Sequence, residues 1–577
     1  MADEKAAADR SRSPRRPSKL ARNQVLSWAV GRISAAHLHS CMRDEVEDQG
    51  ARALPLVQKI AALGGHQGST RLPQRLVNML RPKLPILDCI VSVPGGAVTQ
   101  MISPQDVVAH VCRDSPHAFK MHLGADPAKV KRFWERLYMS DEGRRMFEEH
   151  GHLRGKTPLD LHHCLPLTLH EDAGPFTKTR GVNIISFAGL LGMGSEMQVK
   201  LPSFTYIKKA KADQAVPEAA WRRFILGFDR LADGHKHTGE PIAVDDHGNL
   251  WTCCMCFGKG DGDVHVNQWG LQGHGGPGEV CGFCLADRSD LNYLNLQEDS
   301  EWRATEIVTT AAFIARLRCP HHPLNDAPFF TLWFVRIDIM HNLDCKGVLS
   351  ILQGGALWLV CHDTRRKLGN TIAARLQEIN RRKDAFFKLH GVANRMPDIR
   401  AENISEGPDG FVTLSGTVVK AANTRALLPF VKELCCEVLN QRRTYHRSVC
   451  KLLESACGMV DTLYASEMFM SEEQQAAFRK HTLRVGRHWQ LCCNIATEKG
   501  QPLWHITPKA HVCQHLPTQA KLLNPRFTQN YQEEGLIGKV TKVWKAAANG
   551  PYFHVAQKTV LEKWLVGFMI TIGMPIE

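Results

Sequence analysis

The sequence predicts an α/β protein, on three observations. Residues 165–169 (Leu-Pro-Leu-Thr-Leu) alternate like a strand and, after a Gly174-Pro175 turn, are answered by a second strand-like stretch at 183–187. Residues 329–338 form a near-continuous apolar run closed by Asp338, the pattern of a central parallel strand buried on both faces. Most of the remainder carries three- and four-residue apolar spacing, as Val130, Phe133, Trp134, Leu137 and Tyr138 do within 126–150.

Taken in order, residues 1–22 hold seven basic residues, two prolines and no apolar periodicity, and are expected to be a disordered basic arm. Arg15, Arg16 and Lys19 read as a nuclear import signal, so the expected location is nuclear. Residues 23–160 are expected to be a helical N-terminal region. The first part of the core, 161–250, contains the hairpin, a third strand at 203–208 and a helix at 216–231 with Pro217 in its first turn. Residues 251–290, rich in Gly, Cys and His and without either period, read as a cysteine-rich insertion. The second part of the core, 291–350, carries a helical stretch at 305–317, a turn at 325–328 and the strand at 329–338. Residues 351–505 read as a basic, mostly helical insertion, and 506–577 as the C-terminal part of the core, with a helix at 529–545. No internal repeat is visible.

The 577 residues imply several structural units, and 44% hydrophobic with 23% charged content excludes a disordered, collagen-like or coiled-coil chain. No uninterrupted apolar run reaches eighteen residues, so no membrane partner is expected. Nineteen cysteines without a secretory signal read as thiols or metal ligands in a reducing compartment. The net charge of +14 is uneven: +4 over 1–22, −1 over 23–350, +7 over 351–505 and +4 over 506–577. A polyanion, nucleic acid first, is the expected partner; the plainer alternative is a solvated cationic surface.

Asp172 and Asp338 each close a predicted strand, and Glu533-Glu534 lies in the helix at 529–545. Strand-end carboxylates joined by one from a crossing helix can hold two divalent cations for phosphodiester chemistry. His341 follows Asp338 with two residues between. On the segments LTLHEDAGPF, FVRIDIMHNLDCKGV and PKAHVCQHLPTQAKLLNPRFTQNYQEEGLIGKV, the chain resembles the eukaryotic cut-and-paste transposases with a ribonuclease-H-like (DDE-type) catalytic domain, over roughly 160–560. The resemblance implies a ribonuclease-H-like mixed sheet core. Asp172 would then be the first Mg²⁺ (or Mn²⁺) ligand, Asp338 the second, His341 the family histidine, and DNA the substrate. The third ligand is open between Glu533 and Glu534; Glu534 is favoured because Gly535 and Gly538 after it would let the helix approach the sheet. Glu171 beside Asp172 leaves the first ligand less than fixed. A homo-oligomer stays open, as does a transposase-derived chain that keeps the fold as a catalytically inactive nucleic-acid-binding or scaffold protein.

Cys253 and Cys256 form one C-x₂-C pair and Cys281 and Cys284 another, four thiolates suited to a structural Zn²⁺, with His265 or His274 able to replace one. His511 and His515, four apart after Pro508, share a helix face and suit a metal or a phosphate, or simple burial. Arg365, Arg366, Lys367, Arg375, Arg381, Arg382 and Lys383 are the expected backbone contacts to DNA, with Lys539, Lys542 and Lys545 beyond the Glu pair. Asp261-Gly262-Asp263 opens like a calcium loop, but its twelfth position is Gln272 where a bidentate Glu is needed, and the motif is set aside.

Overall fold

The computed structural model describes residues 19–49, 54–63, 72–80, 84, 86–90, 98–177, 180–207, 215–273, 278–318, 322–363, 367–393, 396–416, 420–547 and 553–572. The chain is mixed α/β. Among the described residues eight strands form one sheet: β1 (Ile86–Ile90), β2 (Val98–Ile102), β3 (Cys164–Pro175), β4 (Gly181–Gly189), β5 (Lys200–Ile207), β6 (Ala243–Val244), β7 (Leu250–Lys259) and β8 (Val335–Arg336). Their order is β1-β2-β5-β4-β3-β7-β6, and β8 also pairs with β7. β1, β2, β5, β4 and β3 run antiparallel in turn, whereas β7 is parallel to β3 and β8 is parallel to β7.

The helices used below are α1–α4 (Lys19–Ala29, Ala35–Gln49, Pro55–Ala61, Leu72–Leu80), α5 (Pro104–Asp114), α6 (Pro127–Met139), α7 (Asp141–Glu149), α8 (Ala215–Asp233) and α9 (Gly262–Asn267). They continue with α10 (Val348–Asp363), α11 (Ile372–Leu389), α12 (Ala421–Val438), α13 (Thr444–Ala465), α14 (Glu472–Glu498), α15 (Pro508–Cys513), α16 (Leu516–Leu522), α17 (Tyr531–Ala547) and α18 (Phe553–Thr571). Strand alternation sorts β4 between two faces. Ile185 and Phe187 join the core containing Phe224 and Phe228 of α8, while Val182 and Ile184 pack with Leu536, Val540 and Trp544 of α17 and Trp564 of α18. The sheet therefore lies between α8 on one side and α17–α18 on the other. A separate core fills the helical insertion α10–α14, and α1–α4 bury their apolar stripes against Val566 and Ile570 of α18.

Several sequence expectations need correction. The boundary at 251 cuts β7, whose ten residues are sheet core: Cys253, Cys254 and Cys256 are buried small hydrophobes between β3 and β8. The 23–160 region is helical but also supplies β1 and β2. The run at 329–338 is strand only at Val335–Arg336. Before that the backbone turns, with Phe330 N–H donating to Ala327 O at 2.9 Å and Phe334 N–H to Thr331 O at 3.1 Å, so that Phe329, Phe330 and Phe334 pack ring to ring. The helix expected at 305–317 is confined to Thr310–Ile314. Asp141, next to the N-capping Ser140, starts a second helix within 126–150. Among the described residues one segment, Met340–His362, is long and apolar enough to cross a membrane by length and composition, and 83% of its apolar 18-residue window is buried inside the protein. Arg15, Arg16 and His274 lie outside the described residues, and Lys19 begins α1.

Candidate active site and metal centre

Side-chain alternation separates the acidic residues of β3. Glu171 faces the α8 side, where Trp269 Nε1 donates to it at 2.9 Å, Asn183 Nδ2 at 3.2 Å, and the Tyr206 hydroxyl closes the set. Burial raises its pKa to about 7 against those donors. Asp172 faces the opposite side, toward α17. It accepts the Ala173 N–H at 2.6 Å, and burial, then Asp261, then Glu534 push its carboxyl up to about 8.

Asp261 was missed in the sequence. In the parallel β3–β7 ladder His170 sits opposite Lys259; two residues further along each strand come Asp172 and Asp261. Asp261 caps α9 through the Val264 N–H at 2.8 Å. On the far side of β7, β8 leads to Asp338. The expected Gly174-Pro175 turn is corrected: both residues still pair with Val182 and Gly181, so Asp172 lies within β3, three residues before its end, while Asp261 and Asp338 each lie two residues beyond β7 and β8. Three carboxylates thus stand toward the same end of three hydrogen-bonded parallel strands. The signal was present, a carboxylate after an apolar run (Trp251 to Phe257), but that run is visible only when cysteine is counted as a hydrophobe.

Asp338 accepts from the N–H groups of Met340 (3.0 Å), His341 (3.3 Å) and Asn530 (3.0 Å). Its Oδ2 also holds His341 Nδ1 at 2.6 Å on the π-helical turn Met340–Asp344. The other ring nitrogen, Nε2, lies 3.3 Å from Glu534 Oε1. Burial works to lower the imidazole pKa, but Asp338 and Glu534 outweigh it and push it up to about 11. His341 is therefore a cation lying between two carboxylates.

The Glu pair divides cleanly. Glu533 is 1% exposed and pairs with Lys200 and, at 3.1 Å, with Lys259. Burial alone would raise its pKa, but the two ammonium groups drive it far below the carboxylate range. Glu534 is 45% exposed and faces His341. The expected reason for the close helix approach is corrected: a Cβ on Gly538 would meet nothing and one on Gly535 only the Glu196 side chain, at 3.1 Å, whereas one on Gly174 of β3 would lie 2.4 Å from Thr541 Cγ2 and 2.7 Å from Ile537 Cγ2. The bare strand position, not the helix glycine, lets α17 sit down on the sheet.

The zinc ligand set is also corrected. Cys253 is surrounded by Cys164, Cys254 and Cys112, and Cys256 donates to Cys254 O; neither reaches Cys281 or Cys284. Instead Cys281, Cys284, His511 and His515 offer ligand atoms all within 4.8 Å of one another, all buried. Cys281 Sγ is 3.4 Å from His515 Nε2, Cys284 Sγ is 3.2 Å from His511 Nε2, and the two Nε2 atoms are 3.3 Å apart. Ligands around a tetrahedral Zn²⁺ are separated by about 3.3 Å (N to N), 3.6 Å (N to S) and 3.8 Å (S to S), given Zn–S near 2.3 Å and Zn–N near 2.05 Å. Burial opposes the Cys281 thiolate, but Cys284, His515 and His511 outweigh it and hold its pKa well below the usual thiol value. Glu306 Oε1 orients His515 through Nδ1 at 3.2 Å. This buried Cys₂His₂ cluster can hold a metal such as zinc.

The two centres share α15. Lys509 Nζ, two residues before His511, donates to His341 O at 2.9 Å, and Asn342 Nδ2 donates to Lys509 O at 3.1 Å. A cleft between them is lined by His265, Asp338, His341, Lys509 and Cys281. The expected DNA contacts fare less well. Arg365 and Arg366 lie outside the described residues. Lys367 donates to Val438 O at 2.9 Å, Arg375 to Gly369 O at 2.8 Å, and Lys383 is buried. Arg381 and Arg382 pair with Glu378 and Glu437, and Lys539 pairs with Glu196. Lys542 and Lys545 are exposed. Compared with protein-family models and with curated proteins, the chain finds no match.

Proposed function

We propose that the protein is a transposase-like or transposase-derived DNA-binding protein of the nucleus, with a ribonuclease-H-like core that cleaves phosphodiesters and transfers strands. The observation carrying this reading is the placement of Asp172, Asp261 and Asp338 toward the same end of three adjacent parallel strands, with Glu534 brought over them by α17. The antiparallel β5-β4-β3 run continuing into β7 and β8, parallel in turn, fits that core, with β1 and β2 added at its antiparallel edge.

In this reading Asp172, Asp338 and Glu534, joined by Asp261, would hold Mg²⁺ or Mn²⁺, although among the described residues only Cys281, Cys284, His511 and His515 bring three or more ligand atoms within 4.8 Å of one another. Burial first, then Asp261 and Glu534, raise the Asp172 carboxyl to about 8, and a bound cation would offset the part of that shift due to the neighbouring carboxylates. Bound divalent cations would supply Lewis-acid stabilisation of the phosphate oxygens. The chain's own groups do the rest. Asp338 fixes the His341 ring, His341 holds Glu534, and the Asn530 N–H ties the start of α17 to Asp338.

The test is a cleavage and strand-transfer assay with Mg²⁺ or Mn²⁺, comparing the wild type with Asp172→Asn, Asp261→Asn and Glu534→Gln. Each is expected to lose about 4 kcal/mol of barrier lowering, roughly a thousandfold in rate. Equal rates in wild type and all three variants would remove the catalytic claim. One observation favours the second reading, an inactive nucleic-acid-binding relic: the His341 ring lies between Asp338 Oδ2, at 2.6 Å, and Glu534 Oε1, at 3.3 Å, and so already bridges two of the carboxylates.

A further inference from the structure

The cations of the helical insertion divide into two populations. On α11 the exposed Arg381 and the half-buried Arg382 are taken up by acidic neighbours: Arg381 by Glu378 at 2.7 Å and Arg382 by Glu378 and Glu437 at 2.8 and 2.7 Å. On the antiparallel α13–α14 hairpin, Arg447, Lys451, Lys480, Arg484 and Arg487 are all exposed. None of the five makes an ion pair among the described residues. Lys480, Arg484 and Arg487 stand at i, i+4 and i+7 of one helix, and Arg447 and Lys451 at i and i+4 of the other, so each set shares a face.

The two sets form one strip. The His481 ring of α14 lies against Gly458 of α13, where an added Cβ would come within 2.4 Å of it, which fixes the register of the hairpin. Further along, His488 feels Lys451, Arg487 and Arg484 together. Glu454 and Asp461 are the acidic residues near these histidines. Glu298 and Asp299 line one depression with Lys480, Arg484 and Arg487, and of these cations' neighbours Arg479 pairs with Glu298 at 3.4 Å. The strip is anchored to the carboxylate site at the hairpin tip. Asn524 Nδ2 donates to Leu463 O, Ser466 O and Glu467 O at 3.0, 3.3 and 3.1 Å. Six residues later the Asn530 N–H reaches Asp338. From Tyr464 back to Arg447 the helix rises about 26 Å at 1.5 Å per residue.

We propose that this outer face of the α13–α14 hairpin grips the sugar-phosphate backbone of the nucleic acid leading away from the carboxylate site, over about seven base pairs at 3.4 Å each. The proposal rests on the nucleic-acid reading above and says which surface does the holding. A membrane is the poorer partner: among the large apolar residues of the two helices only Leu491 is exposed, at 37%, and an interfacial helix needs an apolar face beside its cations.

The experiment is fluorescence anisotropy of the full chain with a labelled 30-base-pair duplex between 50 and 300 mM salt, with no added divalent cation. The variant Lys451→Gln/Lys480→Gln/Arg484→Gln/Arg487→Gln should flatten the slope of log K against log salt by about 3–4 and weaken binding at least about a hundredfold at low salt. Arg381→Gln/Arg382→Gln should change the slope by less than about 1. The charge-keeping variant Lys451→Arg/Lys480→Arg/Arg484→Lys/Arg487→Lys should retain it, which separates charge from folding. A quadruple Gln variant with the wild-type slope, or a charge-keeping variant that loses binding equally, overturns the hairpin surface and leaves the nucleic-acid reading standing. Wild-type protein that binds no duplex at 50 mM salt, or binds only phosphatidylserine vesicles, overturns both.

Discussion

Cys284 Sγ and His511 Nε2 lie 3.2 Å apart although 227 positions separate them in the chain. The cluster they belong to joins the segment before the helical insertion to the segment after it. Purified protein should carry about one zinc per chain by atomic emission. Cys281→Ser and His511→Ala should lose it, while Cys253→Ser and Cys256→Ser should keep it. Chelation should lower the melting temperature of the wild type and leave that of Cys281→Ser unmoved. Zinc that stays in Cys281→Ser and leaves Cys253→Ser would restore the original four-cysteine set.

Adjacent glutamates should behave oppositely. Glu533→Gln leaves Lys200 and Lys259 buried without their carboxylate, and should cost about 3–5 kcal/mol in urea unfolding. Glu534→Gln, at a half-exposed position, should stay within about 0.5 kcal/mol of wild type while abolishing any metal-dependent chemistry. Equal stability losses would mean that Glu533 is not the buried partner.

Gly174→Val places a branched side chain where Thr541 and Ile537 already sit, and should destabilise by about 1–3 kcal/mol. Gly538→Ala meets open space on α17 and should be neutral or stabilising by up to about 1 kcal/mol. The pair measures how closely α17 must seat on β3, and reversed signs would place the close contact on the helix instead.

Lys563 is buried against the Trp28 ring, 4.9 Å from its centroid, and burial lowers its pKa to about 8 from an ordinary 10.5. The unfolded chain therefore binds this proton more tightly than the folded one, so stability rises with pH from about 8 to 10.5 and the full cost is present below 8. Lys563→Met should stabilise at pH 7 by up to roughly 3 kcal/mol, reduced by the lost cation–π contact, with the gain fading by pH 10.5. A gain that does not depend on pH would show that the ammonium is not buried in the folded state.

The elements legible in the sequence were those with strong local periodicity: the β3–β4 hairpin, β5, α8, the helical insertion and α17 all lie where alternation or helical spacing put them. What escaped was long-range. β7 was hidden because Cys253 and Cys256 looked like ligands, although the strand's cysteines are buried between its neighbours like any aliphatic residue. Asp261 was weighed only as a calcium-loop position, since nothing local says that its strand pairs in parallel with β3. The His511–His515 spacing was visible, and so was Cys281–Cys284, but each is half of a site whose other half comes from another element. Glu533 and Glu534 are indistinguishable by spacing; only the direction of α17 over Gly174 separates them.

The Asn530 N–H reaches Asp338 across 192 positions of chain. At translation rates of about 5–20 residues per second, Asp338 emerges roughly 10–40 s before the helix that completes its surroundings. During that interval the strands bearing Asp172, Asp261 and Asp338 are already made while Glu534 is not. A nascent chain thus holds the acidic strand ends without the arm that closes over them, and the whole insertion must be synthesised before Glu534 can reach His341.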